Sequence, residues 1–258
     1  MTDSEIEQLG PALLTLAYDA GRAVMAVYAT EFERRVKDDH SPVTDADEAA
    51  EEIILAGLDR LTPGMPVIAE EMAAAGRLPA IGEGPFWLVD PLDGTREFIA
   101  RNGEFTVNIA LVCEAKPRLG VVLAPAQRNT AWLGRPGGAF RFTAPDSVGE
   151  PIAARVAPPF AAVALVSRSH REKEVEAWLA RQDRVQTASV GSSLKFCRIA
   201  EGAADFYPRF ASISEWDTAA GQAVLEAAGG EVVTWDGKPL TYGKPGFRNP
   251  GFLARGRS

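Results

Sequence analysis

Apolar positions recur early in the chain at spacings of three and four. Ile6, Leu9, Leu13, Leu16, Ala17, Ala20, Val24, Val27 and Tyr28 form one stripe, which predicts a long packing helix. A second helical stripe is carried by Ile53, Ile54, Leu58 and Leu61. Thr44 is placed to cap that helix, and Asp45, Asp47 and Glu48 fill a first turn where the macrodipole favours negative charge. Pro63-Gly64 ends it. Between the two helices, residues 34–42 are polar with a proline and read as a strand edge or loop. The helical period then gives way to short apolar runs. Pro66 to Ala69 leads into Glu70-Glu71, and Phe86 to Val89 leads into Asp90, so each reads as a short strand that stops at acids. Pro91 has no N–H to give a ladder, so the second strand is expected to end before it. Residues 72–85 show no period and read as a loop.

From Phe105 to Val112 the pattern alternates with period two, a strand. Leu119 to Leu123 and Thr130 to Leu133 continue as strands, with Gly134 to Gly138 as a turn. The proline-rich residues 144–159 read as a connector between an N-terminal lobe, 1–150, and a C-terminal lobe, 151–258. In the second lobe strands (Ala162 to Val166, Val185 to Ala188, Asp205 to Tyr207) alternate with helices (Glu172 to Ala180, Ser192 to Ala200). A helix begins at Asp217, uses Ala220, Val224, Leu225 and Ala228 as its face, and stops at Gly229-Gly230 before a closing strand, Glu231 to Trp235. The expected fold class is α/β (α+β): a mixed, largely antiparallel N-terminal sheet and a smaller α/β lobe in one compact unit.

With 258 residues, 46% hydrophobic and 24% charged, the composition is that of an ordinary globular protein. The net charge of −8 argues against a nucleic-acid partner, which needs a basic patch. It leaves room for a small anionic substrate, because a bound metal inverts the local sign. Cys113 and Cys197 sit in apolar runs and read as buried thiols. No signal segment or bilayer-spanning run is visible, so a cytoplasmic protein without a transmembrane segment is expected. Peripheral attachment at the inner membrane stays open, as does the choice between monomer and homodimer. Trp132, Trp178 and Trp235 read as packing aromatics, and His40 and His170 as non-catalytic.

Acids now recur in one setting. Glu70-Glu71 and Asp90/Asp93 follow short strands, and Asp217 opens a helix. Such oxygen ligands suit magnesium, which needs a few carboxylates plus a substrate phosphate. Gly94-Thr95 supplies backbone N–H groups that can face a phosphate, with Gly94 allowing close approach. Singly, each acid has a plainer role as cap, turn former or surface charge. An EF-hand is excluded because Val89 and Pro91 occupy two of its acid positions. The Asp-x-Asp-Gly-Thr pattern of aspartate-nucleophile phosphatases is excluded because the acids are one residue further apart.

Three motifs together resemble the inositol monophosphatase-like superfamily of magnesium-dependent, lithium-sensitive phosphatases. WLVDPLDGT (87–95) is similar to its Asp-Pro-x-Asp-Gly/Ser-Thr signature. Trp216-Asp217, eleven residues and Gly229-Gly230 match the second signature, and Glu70-Glu71 the upstream metal position. The chain looks most like the bacterial 3′(2′),5′-bisphosphate nucleotidase branch, through Asp90 to Val112, Ser189 to Glu201, Tyr207 to Phe210, Trp216 to Gly221 and Gly237 to Leu240. Ala69 stands where Ser is common and Arg96 where Lys is common, and neither removes a ligand.

The resemblance implies a layered αβαβα sugar-phosphatase-like fold. It implies hydrolysis of adenosine 3′,5′-bisphosphate to AMP, with the 5′-phosphosulfate analogue as a further substrate, in support of sulfate assimilation. It implies Mg²⁺, two or three ions per site, held by Glu70, Asp90, the Leu92 carbonyl, Asp93 and Asp217, with Asp90 shared. Asp47, Glu70 and Thr95 are the implied catalytic residues, Thr95 and Asp47 orienting and deprotonating water. Gly94 and Thr95 hold phosphate, and Glu70, Leu92, Asp93 and Asp217 border the substrate. Lys195 and Arg209 are candidate anion partners of the nucleotide and Ser192-Ser193 candidate hydrogen-bond donors at a helix start, balanced against an exposed helix lysine and a structural arginine beside Tyr207. Two rivals stay open: an inositol or sugar phosphatase of the same fold, and a non-catalytic metal- or nucleotide-binding module.

Overall fold

A computed structural model describes residues 1–31, 35–36, 42–43, 45–168, 172–182 and 184–257. Thr44, His40 and His170, given roles above, lie outside the described residues. Helix α1 (Asp3–Tyr28) opens with a capping box, in which the Glu5 amide donates to the Thr2 hydroxyl and the Thr2 amide donates to the Glu5 carboxylate. Strands β1 (Arg35–Val36) and β2 (Pro42–Val43) pair antiparallel. Helix α2 (Asp45–Leu61) packs on α1, and Leu13, Leu16, Ile54 and Leu58 join one buried cluster.

A seven-stranded sheet follows in simple order: β3 (Val67–Ala69), β4 (Phe86–Asp93), β5 (Thr106–Cys113), β6 (Lys116–Ala124), β7 (Thr130–Arg135), β8 (Gly138–Phe142) and β9 (Glu150–Ile152). Only the β3–β4 pair is parallel. Short helices α3 (Glu70–Ala74) and α4 (Thr95–Ile99) leave the ends of β3 and β4. The expected loop over 72–85 therefore begins as helix, because Glu70 and Glu71 supply an acidic first turn. The glycine cluster also divides differently. Gly134 lies in β7 and Gly138 in β8, with the turn at Pro136-Gly137 between them.

Strand β4 does not stop at Pro91. It pairs Asp90 with Asn108 and Asp93 with Thr106, setting three steps against two, so one extra residue bulges out. Pro91, which lacks a ladder donor, is housed within that irregular stretch, and the Leu92 amide donates to Asp90 Oδ1 at 3.0 Å. All eight residues of β5 are buried, Thr106 and Asn108 included. Helices cover both sides of the sheet.

The second half contributes β10 (Val163–Ser167), α5 (Lys173–Leu179), β11 (Gln186–Val190), α6 (Leu194–Ala200), β12 (Phe206–Arg209), β13 (Ile213–Ser214), α7 (Trp216–Ala227), β14 (Glu231–Thr234), β15 (Arg248–Asn249) and β16 (Phe252–Arg255). Five strands form a mixed sheet in the order β11-β10-β12-β16-β14, and β13 pairs with β15. The expected closing strand, β14, is thus an edge, and β16 fills the place between it and β12.

The layers run α1/α2, seven-stranded sheet, α6/α7, five-stranded sheet and α5, the expected αβαβα arrangement. Helix α7 lies directly on the first sheet. A Cβ at Gly134 would meet the Ala223 carbonyl oxygen at 2.4 Å, and one at Gly120 would meet that of Ala220 at 2.6 Å, so these glycines are the docking surface. Both cysteines are free and buried. Among the described residues, no helix is long and apolar enough to cross a membrane.

Candidate active site

The carboxyl end of β4 opens into a cavity of about 250 Å³. The seven-stranded sheet and its short helices supply Glu70, Asp90, Leu92, Asp93, Gly94 and Thr95 to its wall. The second half supplies Ser192, Lys195, Arg209 and Asp217. Asp47 stands behind this wall. It is fully buried in the first turn of α2, and its Oδ1 lies 3.5 Å from the Thr95 hydroxyl. The same hydroxyl lies 3.2 Å from the Leu92 carbonyl. Asp47 thus keeps its place in the acidic first turn of α2 while its carboxylate, buried, also faces a side chain from another element.

Gly94 caps α4 at φ 88°, the left-handed region. A Cβ there would also meet the Glu104 carbonyl at 3.1 Å and Ser192 Cβ at 3.2 Å. Glycine is therefore required both by backbone and by space.

The acids oppose one another. Burial raises Asp90 well above the ordinary carboxylate range, and the charges of Glu70, Asp93 and Asp217 add to it. Burial likewise raises Asp217, with Asp93 and Glu70 adding and Arg209 and Arg248 opposing. Burial raises Asp93 to about 6, although Lys195 and the Ser193 amide pull it down. Such a cluster keeps all its negative charge only beside a cation.

Among the described residues, no three His, Cys, Asp or Glu side chains are gathered closely enough to cage an ion as they stand. The donor chemistry nevertheless fits a hard divalent cation: carboxylate oxygens and the Leu92 carbonyl face one cavity, and their mutual repulsion is what a bound cation relieves.

The helix start at Ser193 takes a supporting place beside the acids, together with Thr106 and Asn108, which were not legible as site elements in the sequence. The Ser193 amide donates to Asp93 Oδ2 at 2.6 Å, so it steadies an acid. The Ser193 hydroxyl in turn donates to Asn108 Oδ1 at 2.7 Å, and Thr106 Oγ1 lies 2.8 Å from it. Thr106, Asn108 and Ser193 are all buried. Thr106 and Asn108 looked like polar positions of an alternating strand, and the register of β5 against the bulged β4 sets them opposite Asp93 and Asp90. Lys195 is buried as well, not an exposed helix lysine. Its ammonium donates to the Ser192 and Val190 carbonyls at 2.7 and 3.2 Å and lies 4.8 Å from the Tyr207 ring centre. Glu97, near Gly94, is buried at the cavity wall, beside an exposed Arg96.

Arg209 lines the same cavity. Burial disfavours its charge, yet Tyr207, Glu172 and Asp217 outweigh that cost and hold its pKa up. Trp235, expected to pack, is 38% exposed and donates its indole N–H to the Arg209 carbonyl. Trp132 is buried, with its N–H on Glu201.

Residues 5–252 match the model of the inositol monophosphatase family. The chain belongs to that family. Among curated relatives in this family, it is 48% identical over 240 residues to the 3′(2′),5′-bisphosphate nucleotidase CysQ of Escherichia coli K12, covering 92% of this chain and 95% of the relative. It is 40% identical to CysQ of Buchnera aphidicola, covering 93% and 90%. The crystal structure of CysQ from Bacteroides thetaiotaomicron, a bacterial family member, superposes with a TM-score of 0.78 at 35% identity, covering 95% of this chain and 97% of that one. The inositol monophosphatase of Anabaena superposes with a TM-score of 0.76 at 25% identity, covering 98% and 92%.

Proposed function

We propose that the chain is a Mg²⁺-dependent 3′(2′),5′-bisphosphate nucleotidase that converts adenosine 3′,5′-bisphosphate to AMP and phosphate. The observation that carries this reading is the composition of one cavity. A cluster of acids lines it, and Lys195 and Arg209 border the same space. An inositol phosphate offers a single phosphate, whereas a nucleoside bisphosphate offers a second anion for those cations.

Glu70, Asp90, Asp93, Asp217 and the Leu92 carbonyl would hold the metal. Bound there, the metal would neutralise charge on the transferring phosphoryl group and lower the pKa of water. Gly94 and Thr95 receive the phosphate. The Thr95 hydroxyl orients water toward phosphorus, and Asp47 Oδ1, 3.5 Å from that hydroxyl, accepts the proton passed through it. Ser193, through its amide on Asp93, keeps that acid aimed. The rest of the chemistry is positioning and charge neutralisation.

The test measures phosphate release by purified protein from adenosine 3′,5′-bisphosphate and from inositol 1-phosphate, with Mg²⁺ and with chelator. The bisphosphate is expected to give the higher kcat/KM, and only with Mg²⁺. Faster turnover of inositol 1-phosphate would replace this reading by the inositol phosphatase one. No Mg²⁺-dependent turnover of any phosphomonoester would leave a binding module.

A further inference from the structure

The backbone around Arg209 is gripped from outside the cavity. Trp235 Nε1 donates to the Arg209 carbonyl at 2.9 Å. The same indole stacks on the next residue, Phe210, with ring centres 4.1 Å apart and planes 13° apart. Trp178 braces that stack, its ring 6.3 Å from Trp235 and 5.9 Å from Phe206. A second hold comes from Glu172 Oε2, which accepts the amides of Phe210 at 2.8 Å and Ala211 at 2.7 Å. Three successive residues are thus fixed by side chains with no place in the proposed chemistry. Arg209 itself lines the cavity, and its Nε is buried with no hydrogen-bond partner among the described residues. An arginine whose main chain is clamped and whose head keeps an unused donor is preorganised for an anion, because little freedom remains to be lost on binding.

We infer that Trp235 and Glu172 are positioning residues that hold the Arg209 turn so that its guanidinium meets the substrate's second phosphate. This rests on the nucleotidase reading above, in which Arg209 faces that phosphate. The two residues act through Arg209 and touch no reacting atom, so they set affinity for the bisphosphate and not the rate of phosphoryl transfer.

The experiment compares kinetics on adenosine 3′,5′-bisphosphate and on adenosine 3′-phosphate, which lacks the second phosphate. Trp235→Phe keeps a ring for the stack and removes the indole donor; Glu172→Gln weakens the acceptor for two amides. Each is expected to raise KM for the bisphosphate about tenfold, with kcat within about twofold and KM for the 3′-phosphate unchanged. In an Arg209→Ala background, Trp235→Phe is expected to add nothing further to KM, as coupling through one residue requires. Arg209→Ala is the reference for the underlying reading: if it leaves the preference for the bisphosphate intact, Arg209 does not read the second phosphate. If Arg209→Ala erases the preference while Trp235→Phe and Glu172→Gln keep the wild-type KM, the positioning role is overturned and the nucleotidase reading stands. Equal losses on both substrates together with a lowered Tm would also overturn it, reducing the clamp to fold support.

Discussion

Two groups of cavity residues, an acid end and a cationic end by their charge, are built in opposite ways. At the acid end, Asp90, Leu92, Asp93, Gly94 and Thr95 lie within six consecutive residues, anchored in a sheet buried on both faces. At the cationic end, Lys195 and Arg209 come from a helix and a strand end in the smaller sheet, and their surroundings include an exposed tryptophan. A group that must stay within tenths of an ångström of a reacting phosphorus needs a rigid, local frame. A group that selects among substrates needs only to be held by its neighbours, and those neighbours can be spread along the chain. The contrast predicts that damage at the acid end appears in kcat and damage at the cationic end in KM.

The largest expected break is Asp93→Ala. It removes a donor from the acid cluster and should lower kcat on the order of a thousandfold or more, measured as phosphate release at saturating substrate and Mg²⁺. Retained activity would rule out the proposed ligand set. Thr95→Ala comes next, with kcat falling about a hundredfold and KM nearly constant. Thr95→Ser should recover most of the loss, because the hydroxyl rather than the methyl faces Asp47; equal defects in both variants would remove the hydroxyl from the chemistry. Asn108→Ala acts one layer further back. It frees Ser193 and, through it, Asp93, and should raise the Mg²⁺ concentration for half-maximal rate about tenfold, while circular dichroism stays native. An unchanged Mg²⁺ titration would show that the buried network only joins the two lobes.

The smallest change concerns stability alone. Glu51 is buried beside the acid end, and its carboxylate accepts the Glu71 amide at 2.8 Å. Burial, against that hydrogen bond and with the charges of Glu71 and Glu70 adding, raises it from 4.5 to about 7. The folded state thus binds the proton more tightly than the unfolded chain. The associated stability is complete below about 4.5 and is lost as pH rises toward 7, with a slope on the order of 1 kcal/mol per pH unit. In chelator-treated protein, urea midpoints between pH 4.5 and 7.5 should show a flatter decline for Glu51→Gln than for wild type. Parallel curves would show that Glu51 titrates normally.

The same contrast explains what could be seen in the sequence. The central part of the acid set is contiguous, so WLVDPLDGT displays its strand, Asp90, Asp93 and the phosphate turn together, whereas Glu70 and Asp217 come from elsewhere in the chain. The long helices were legible too, because each buries a single stripe. Strand β4 was underestimated because Pro91 is a fair reason to stop a regular ladder but not a bulged one. Strands β8, β9 and β16 escaped because they are short and each carries a glycine, proline or charged residue. Asn108 and Thr106 as supports, and Trp235 as a clamp, depend on partners roughly 25 to 100 residues away in the chain; such contacts leave no local period to read.

The bulge in β4 has a further meaning as a matter of parity. Along a regular strand, residues an odd number apart face opposite sides. Asp90 and Asp93 are such a pair, yet their partners Asn108 and Thr106 are an even number apart and share a side. The one extra residue converts odd to even and brings both acids to the same face. The bulge is thus what lets two acids three residues apart serve one site: the same four residues paired as a regular ladder would send one carboxylate to the opposite face of the sheet.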